Sequence, residues 1–554
     1  MNTRFIIIII FLTLFAIAAS SNAADPATDG YRELVRQPDA VTVVIETGTV
    51  NLKSDGDTWS GERVRVAIAV RADGLHVSLA ASEAAVKQLR LHWQGVPEAG
   101  EWKYLGDAWE RSYGELAWRG LDANRPMPWY FLASNGQWTH AYGVMTLPTS
   151  LCCWKLDEHG LTLLADVRCG GKGVQLGSRT LEVCTIVSRR GRSGETPFAA
   201  ASAFCRLLCL HPRMPKQPVY GFNNWYCDYG KISADGVRKD AAFIARLSPT
   251  GGNRPYMVID DGWQAHNGGA KGEWNRGNVH FPDMAALAAD IAKAGAKPGI
   301  WVRLLITQPG QPANWKLERD RTYLDPSVPG VRAYVMETVK RLRGWGYELI
   351  KHDYSTFDLA GRWGNAMGSE FTADGWAFAD RTRTTAEIIV DHYRSIHEAA
   401  GDDAVVIGCN TIGHLSAGIF EASRIGNDTS GREWGKVLKM GVNSLAFRMP
   451  HHGAFYAVDA DCVGQTTSGA IPWELNRQWL DLLARSGTPL FVSFKDNSVT
   501  PEQEQALKAA LAIASKPQPT GEPLDWFSTR LPNRWKLDGK EQMFYWIRLP
   551  PAKE

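Results

Sequence analysis

Two pairs of charged residues in the second half of the chain have the types and spacing of a carboxylate-based active site. Lys351 and Asp353 stand two residues apart at the end of an apolar run, so on a strand both side chains point to one face. A lysine there keeps the carboxylate ionised, as a nucleophile requires. Arg424 and Asp428 end a later run, and Asp428 is the candidate general acid and base of a retaining glycosidase. The alternatives are a turn cap at Asp353 and a structural Arg424–Asp428 ion pair.

A third motif, Asp260-Asp261-Gly262-Trp263, combines two hydrogen-bond acceptors with an aromatic face. Carboxylates accept hydrogen bonds from pairs of sugar hydroxyls, and an indole ring stacks on the apolar face of a sugar. Trp225 follows an earlier apolar run and is a second candidate for stacking. The chain contains 22 tryptophans, whose flat apolar faces suit the C–H faces of sugar rings. A tryptophan-rich core and a loop with one capping Asp would account for the same residues.

These residues need strands that all end at one edge of a sheet. After residue 218, apolar runs alternate with amphipathic stretches such as the stripe of Val331, Val335, Val339 and Leu342. Eight such units predict a (β/α)8 barrel of the α/β class, with its chemistry at the carboxyl ends of the strands. An open doubly wound sheet is the alternative, but no GxGxxG motif or P-loop follows any strand. The predicted strands are 219–225, 255–260, 297–304, 348–353, 404–410, 422–427, 442–449 and 489–494.

The first part of the chain has a different pattern. Short alternating runs between about residues 41 and 189 predict an antiparallel β-sandwich. Residues 196–210 predict a helix, with Phe198, Ala201, Cys205 and Leu208 on one stripe. The domain prediction is therefore an N-terminal β-sandwich domain at 24–210, a proline-rich linker at 211–218, a catalytic (β/α)8 TIM barrel at 219–515 and a small C-terminal β segment at 516–554.

The first residues resemble a secretory signal peptide. Arg4 precedes an apolar run at 6–18, and the small residues at 21–23 predict cleavage after Ala23. We therefore expect residues 1–23 to be removed and the mature protein to be exported, to the periplasm or beyond the cell. A membrane anchor is the alternative reading of the same run. The nine cysteines include no zinc-type CxxC pair, and their odd number leaves one thiol unpaired unless chains are cross-linked.

Charge excludes some classes of partner. The 61 basic and 59 acidic residues nearly cancel, and no basic run is long enough to bind nucleic acid or an acidic membrane. The segment 449–462, predicted to be the loop of the seventh strand, contains His451, His452, Asp459 and Asp461, which could bind a divalent metal or form a pocket wall of hydrogen-bonded histidines. The pocket wall is favoured, and we expect neither a metal nor another cofactor.

Taken together, these motifs resemble the retaining α-galactosidases of glycoside hydrolase families 27 and 36 in clan D. Gly221-Phe222-Asn223-Asn224-Trp225 is similar to the first-strand motif of that clan. Asp-Asp-Gly-Trp at 260–263, Lys-x-Asp at 351–353, the fifth-strand cysteine at 409 and Arg-x-x-x-Asp at 424–428 follow in matching order and spacing. The resemblance covers roughly residues 218–495, and the N-terminal sandwich is more similar to family 36.

The resemblance implies a role for each matched residue. Asp353 would be the nucleophile and Asp428 the acid and base. Asp260 and Asp261 would hold the 4- and 6-hydroxyls, Lys351 the 3- or 4-hydroxyl, and Arg424 the 2-hydroxyl. The remaining implied substrate-binding residues are Trp225, Trp263, Cys409 and Asn410. Family 27 usually has Glu where this chain has Asn410, a position that reads the 2-substituent.

The sequence thus predicts an exported glycoside hydrolase that releases terminal α-linked galactose from oligo- or polysaccharides. Related activities on the same scaffold are the alternatives: an α-N-acetylgalactosaminidase, a β-L-arabinopyranosidase or a transglycosidase. A non-catalytic carbohydrate-binding protein is a further alternative from another class, although both carboxylates, Lys351 and Arg424 are present. A carbohydrate is the expected partner in every case.

Overall fold

The computed structural model describes residues 30–95, 101–265, 271–466 and 469–547. The predicted signal peptide lies outside these residues. Among the residues that are described, no helix is both long and apolar enough to cross a membrane.

The N-terminal part forms two antiparallel sheets, as the alternating runs predict. In strand Val64–Arg71, Val64, Val66 and Ile68 are buried, whereas Arg65 is exposed. The sheets pack face to face, with the ring of Phe131 in one sheet 5.7 Å from that of Trp154 in the other. One sheet contains, in spatial order, Gly48–Asn51, Ala40–Ile45, Ala85–Gln94, Gly160–Asp166, Leu151–Asp157 and Met127–Pro128, with Val174–Gln175 beside Ala85–Gln94. The other contains Lys53–Asp55, Thr58–Gly61, Val64–Arg71, Gly74–Ala80, Thr180–Arg189, Thr139–Val144, Tyr130–Ser134 and Lys103–Gly106.

The predicted helix after this region is confirmed as Pro197–Leu208. It begins at proline, a favoured first helical residue, after the cap Thr196, whose side chain accepts a hydrogen bond from the Ala199 amide. The predicted stripe of Phe198, Ala201, Cys205 and Leu208 is buried.

The second part contains one parallel sheet of nine segments. Its spatial order is Ala457–Asp459, Ala422–Arg424, Val405–Gly408, Leu349–His352, Lys297–Val302, Tyr256–Ile259, Tyr220–Asn223, Leu490–Ser493 and Cys462–Gly464. The two end segments are separated in the chain only by Ala460 and Asp461. The main helices between strands are Ala234–Leu247, Met284–Lys293, Pro329–Gly344, Thr385–Ala400, Trp473–Arg485 and Pro501–Ala514.

Seven of the eight predicted strands are confirmed, but the seventh was wrong. Residues 442–449 are helical, within a π-helix at Val437–Asn443, an α-helix at Ser444–Arg448 and the start of a 3-10 turn. The run is buried on every side, and a short apolar run without polar alternation does not distinguish a buried helix from a buried strand. The strand segments lie instead at Ala457–Asp459 and Cys462–Gly464, which the sequence analysis treated as a loop.

A small antiparallel sheet of Glu522–Pro523, Arg534–Leu537 and Lys540–Met543 follows the last helix, as predicted. The N-terminal part docks on the parallel sheet through Ser112. The Ser112 amide donates to the Ile425 carbonyl at 2.8 Å, and the Asn427 amide donates to the Ser112 carbonyl at 2.9 Å. This bridge joins an N-terminal loop to the chain just after strand Ala422–Arg424.

Candidate active site

Side chains from three strands meet at the carboxyl edge of the parallel sheet. The Lys351 ammonium and the Asn223 side-chain amide both donate to Oδ2 of Asp260, each at 2.7 Å. The other oxygen of Asp260 accepts from the Asp261 amide at 2.9 Å. Because both oxygens of this buried carboxylate are held, its orientation is fixed before any ligand binds.

Asp353 directly follows strand Leu349–His352 and is held by two neutral donors. The Trp301 indole donates to one oxygen at 3.1 Å and the Tyr354 amide to the other at 2.7 Å. Burial by itself raises the pKa of Asp353, but the charges of Arg111 and Lys351 and these two hydrogen bonds outweigh it, so the pKa lies below the ordinary Asp value. The residue is therefore a fixed, ionised carboxylate at neutral pH.

Asp428 differs from Asp353 in its exposure to solvent. Half of its side-chain surface is exposed, and Oδ1 accepts a hydrogen bond from Nη2 of the buried Arg424 at 3.0 Å. Nη1 of Arg111 lies 3.6 Å from the same oxygen. The Arg424–Asp428 ion pair considered from the sequence is thus present, and a second arginine accompanies it.

Asp461 is a buried anchor for Arg424 that the sequence analysis placed in a candidate metal loop. Its Oδ2 accepts hydrogen bonds from Arg424, from the Tyr226 hydroxyl and from the amide and hydroxyl of Thr429. Burial raises the pKa of Asp461, but the Arg424 charge and the hydrogen bonds hold it below its usual range. Asp461 has a φ of 73°, in the left-handed region, at the break between the two end segments of the sheet.

The two histidines of that loop do not reach the site. The His451 ring bonds to the Tyr130 hydroxyl at 2.7 Å, and His452 accepts from the Val458 amide at 3.3 Å. The prediction of hydrogen-bonded histidines is confirmed, and His452 lines a cavity together with Val219 and Ala457, away from Lys351 and Arg424. A small cavity among the strand ends is lined instead by Asp459 and Asp461, together with Asn223, Lys351, Arg424 and Cys462.

Trp263 and Trp225 differ in what they offer to a ligand. Trp263 is fully buried, its indole donates to the Trp301 carbonyl at 2.9 Å, and its ring packs edge-on against Trp345. The expected stacking role of Trp263 was therefore wrong: it packs behind the strand that carries Trp301. Trp225 is half-buried at the start of the turn Trp225–Asp228 and keeps an exposed portion.

Asn410 was expected to read the 2-position of a sugar, but it is fully buried. Its amide nitrogen donates to Glu110 and its oxygen accepts from the Phe357 amide at 3.0 Å. Asn410 therefore supports the backbone and Glu110 instead of contacting a ligand. Its neighbour Cys409 is buried as well, with its sulfur 3.6 Å from a guanidinium nitrogen of Arg424.

The chain matches no protein-family model, but it is similar to solved structures. The α-galactosidase TtGalA from Thermus thermophilus is 18% identical, with a TM-score of 0.59 over 91% of this chain and 98% of that one. The GH36 α-galactosidases AgaB and AgaA from Geobacillus stearothermophilus are 13% and 14% identical, with TM-scores of 0.54 and 0.51 over 86% of this chain and 75% of each of theirs. This chain has the fold of these α-galactosidases.

Within this fold, the N-terminal part contributes to the site two residues that the sequence analysis missed. Arg111 and Glu110 precede the Ser112 bridge, and both side chains are almost fully buried. Neither lies in a periodic run or a motif, so nothing local marks them as site residues. Trp301 was also missed, although it lies within a correctly predicted strand.

Proposed function

We propose that this protein is a retaining glycoside hydrolase that releases terminal α-linked galactose. The observation that carries the proposal is the contrast between two carboxylates at one strand edge. Asp353 is held ionised by fixed donors and cations, whereas half of the Asp428 side chain is open to solvent. That division of roles is what a nucleophile and an acid–base residue need.

We also propose that the parallel sheet is a closed (β/α)8 barrel. The two end segments, Ala457–Asp459 and Cys462–Gly464, would then be the halves of one seventh strand, interrupted at residues 460–461. The first half pairs with the sixth strand and the second with Leu490–Ser493, the eighth. Closure would bring the first and last strand ends around one pocket, as the fold of the similar α-galactosidases suggests.

The proposed reaction has two displacement steps. The Asp353 carboxylate attacks the anomeric carbon as the bond to the leaving oxygen breaks, and Asp428 donates its proton to that oxygen. A covalent glycosyl ester on Asp353 results. Asp428, now ionised, then takes a proton from water as the water oxygen attacks the same carbon, which releases the sugar and restores both carboxylates.

The proposed sugar contacts follow from the resemblance and from the contacts that pre-orient each group. Asp260 would accept from sugar hydroxyls through lone pairs left free by Lys351 and Asn223. Asp261 is partly exposed beside it, and Lys351 has further donors for a neighbouring hydroxyl. Arg424 would hold the 2-hydroxyl, and Trp225 would stack on the ring.

The experiment is hydrolysis of three aryl glycosides by the purified wild type, by Asp353→Asn and by Asp428→Asn. The substrates are the α-D-galactoside, the α-N-acetylgalactosaminide and the β-L-arabinopyranoside. We expect galactoside hydrolysis with retention of configuration, seen by NMR of the first-formed sugar, and its loss in Asp353→Asn. The control Asp235→Asn changes a highly exposed helix residue and should match the wild type.

Each other outcome assigns a different function. Preference for the α-N-acetylgalactosaminide or the β-L-arabinopyranoside, with the same dependence on Asp353, would change the assigned sugar specificity and leave the proposed mechanism unchanged. Net transfer of galactose to an added sugar would indicate a transglycosidase. Binding of galactosides with no turnover of any substrate would favour a carbohydrate-binding protein. Full activity in Asp353→Asn would overturn the assignment of the nucleophile.

We propose further that the protein is exported and that residues 1–23 are removed. The support is the sequence pattern: one basic residue, an apolar run at 6–18 and small residues at 21–23. Expression of the full chain in a bacterial host, followed by fractionation and N-terminal sequencing, tests it. A mature protein that begins at Ala24 in the exported fraction is expected, and an intact Met1 in the cytosolic fraction would contradict the proposal.

A further inference from the structure

Arg111 belongs to the N-terminal domain and lies beside one of the reacting groups, Asp428, but the proposed mechanism does not use it. Its Nη1 is 3.6 Å from Oδ1 of Asp428, and its side chain is 4% exposed. It precedes Ser112, whose backbone bridges to the chain between Arg424 and Asp428. The position of Arg111 therefore depends on how the N-terminal domain docks.

The guanidinium of Arg111 packs on an aromatic ring and lies close to a buried carboxylate. It lies over the ring of Trp363, with Cζ 5.2 Å from the ring centroid. Nε is 4.0 Å from the buried Glu110 carboxylate, whose other oxygen accepts from the Tyr113 hydroxyl at 2.5 Å. Nε is buried and has no hydrogen-bond partner among the described residues. A buried guanidinium held this way stays in place while the carboxylates beside it change charge.

Resting on the proposed function, we infer that Arg111 is a positioning residue of the reaction, supplied by the N-terminal domain, which orients Asp428 and contributes a positive charge to the strand edge that carries Asp353. Asp428 needs such an anchor because half of its side chain is in solvent, where a carboxylate samples several rotamers. Arg424 approaches the same oxygen from the buried side, so the second oxygen is left for the leaving group.

The charge of Arg111 has a different use in each step. Before attack it stabilises the ionised Asp353. Once the ester forms, Asp353 is neutral, and Asp428 is the reacting carboxylate that remains beside the Arg111 charge, as the base of the second step. One fixed arginine would thus support the nucleophile first and the base afterwards.

The surroundings of Asp353 are consistent with this role. Burial raises its pKa, and the Arg111 charge is the largest effect that opposes burial, followed by Lys351. Other titratable groups that act on it or that it acts on are His352, Cys409, Asp358 and Tyr354. Burial lowers the pKa of His352 to about 3 and raises that of the Cys409 thiol, so both are neutral near pH 7.

The test compares Arg111→Gln, Arg111→Lys and Arg111→Ala with the wild type on an aryl α-galactoside. Arg119→Ala, an exposed arginine of the same N-terminal segment, is the matched control. We expect kcat to fall about 10- to 100-fold in the Gln and Ala variants, the scale of removing an opposite charge from beside a reacting carboxylate. We expect partial activity in the Lys variant and a higher apparent pKa for the acidic limb of kcat/KM in Arg111→Gln.

Chemical rescue distinguishes a missing guanidinium from a damaged fold. Millimolar guanidinium chloride, well below denaturing concentrations, should raise kcat of Arg111→Ala several-fold, and sodium chloride at equal ionic strength should not. Near-ultraviolet circular dichroism establishes that each variant is folded. A folded Arg111→Gln with wild-type kcat and an unmoved acidic limb, or an Arg111→Ala that guanidinium does not rescue, would overturn the inference.

A measurement without substrate separates this inference from the proposed activity. In a double-mutant cycle, Arg111→Gln should lower the thermal midpoint less in the Asp353→Asn background than in the wild type. If the wild type hydrolyses no galactoside but the cycle shows this coupling, the proposed activity fails and the charge relationship stands. Additive effects of the two substitutions would refute the relationship whatever the substrate.

Discussion

Lys351 donates to Oδ2 of Asp260 at 2.7 Å, although Asp353 stands only two residues from it in the chain. The bond connects the strands Leu349–His352 and Tyr256–Ile259, with strand Lys297–Val302 between them. Both side chains are largely buried. Lys351 therefore fixes a proposed sugar-binding carboxylate, and its charge reaches the proposed nucleophile only as a longer-range effect.

Replacing Lys351 by Met should leave Asp260 as a buried carboxylate without its cation. We expect a loss of about 3–5 kcal/mol in the free energy of unfolding, because a buried charge whose partner is removed stays uncompensated. Urea unfolding at neutral pH measures it. The double variant Lys351→Met/Asp260→Asn should recover part of the loss, and a double variant no more stable than Lys351→Met would contradict the pairing.

Asp461 should control the position of Arg424 through its charge. Asp461→Asn keeps the shape and tolerates a φ of 73°, but it removes the negative charge beside the buried guanidinium. We expect the variant to fold and to lose about 10- to 100-fold in kcat/KM. Asp461→Ala should be less stable than Asp461→Asn by a further 1–3 kcal/mol, roughly, since Ala neither accepts the hydrogen bonds nor favours this backbone. Equal stability of the two variants would show that the hydrogen bonds contribute little.

Gly426 sits where the N-terminal bridge meets the parallel sheet. A Cβ at this position would lie 1.9 Å from the Met440 carbonyl oxygen, which real structures do not allow. Gly426→Ala should therefore shift the segment that carries Asp428, with a loss of about 1–3 kcal/mol in stability and a marked loss of activity. Gly435→Ala is the matched control, because a Cβ there meets nothing within 4 Å. Equal melting temperatures and activities for the two variants would contradict this account.

Asp240 should make stability depend on pH. Burial raises its pKa to about 6, against the pull of Lys495, which also pairs with Asp228. A carboxyl whose folded pKa lies above its ordinary value binds extra protons in the folded state, so stability rises as pH falls from about 6 towards 4. Asp240→Asn removes this dependence of stability on pH. It leaves Lys495 paired with one carboxylate, that of Asp228.

Thermal midpoints at a series of pH values between 4 and 8 check this expectation. The gain in stability of Asp240→Asn over the wild type should be largest above pH 6, at most about 3 kcal/mol, and should shrink towards pH 4. Asp235→Asn, on the same helix but exposed, should follow the wild type throughout. If the stability gain of Asp240→Asn over the wild type instead grew as the pH fell, the expected role of Asp240 would be refuted.

Sequence patterns were sufficient to predict most of the helices and strands. Alternation in Val64–Arg71 and the apolar stripe of Pro329–Gly344 each reflect a burial pattern that repeats along one element, so each can be read locally. The error at residues 442–449 has a physical cause. Where every side of an element is buried, its sequence carries no period, and only the neighbours decide whether it is a helix or a strand.

For the candidate site, too, some features follow from the sequence and others only from the tertiary structure. The sequence by itself determined that Asp260, Lys351, Asp353 and Asp428 lie at strand ends, because parallel strands bring their carboxyl ends to one edge. Only the tertiary structure decided that Trp263 is packed away, and that Asn410 bonds to Glu110, 300 residues earlier in the chain. Contacts over such separations depend on how two domains dock. A sequence pattern within one segment contains no information about the position of the other.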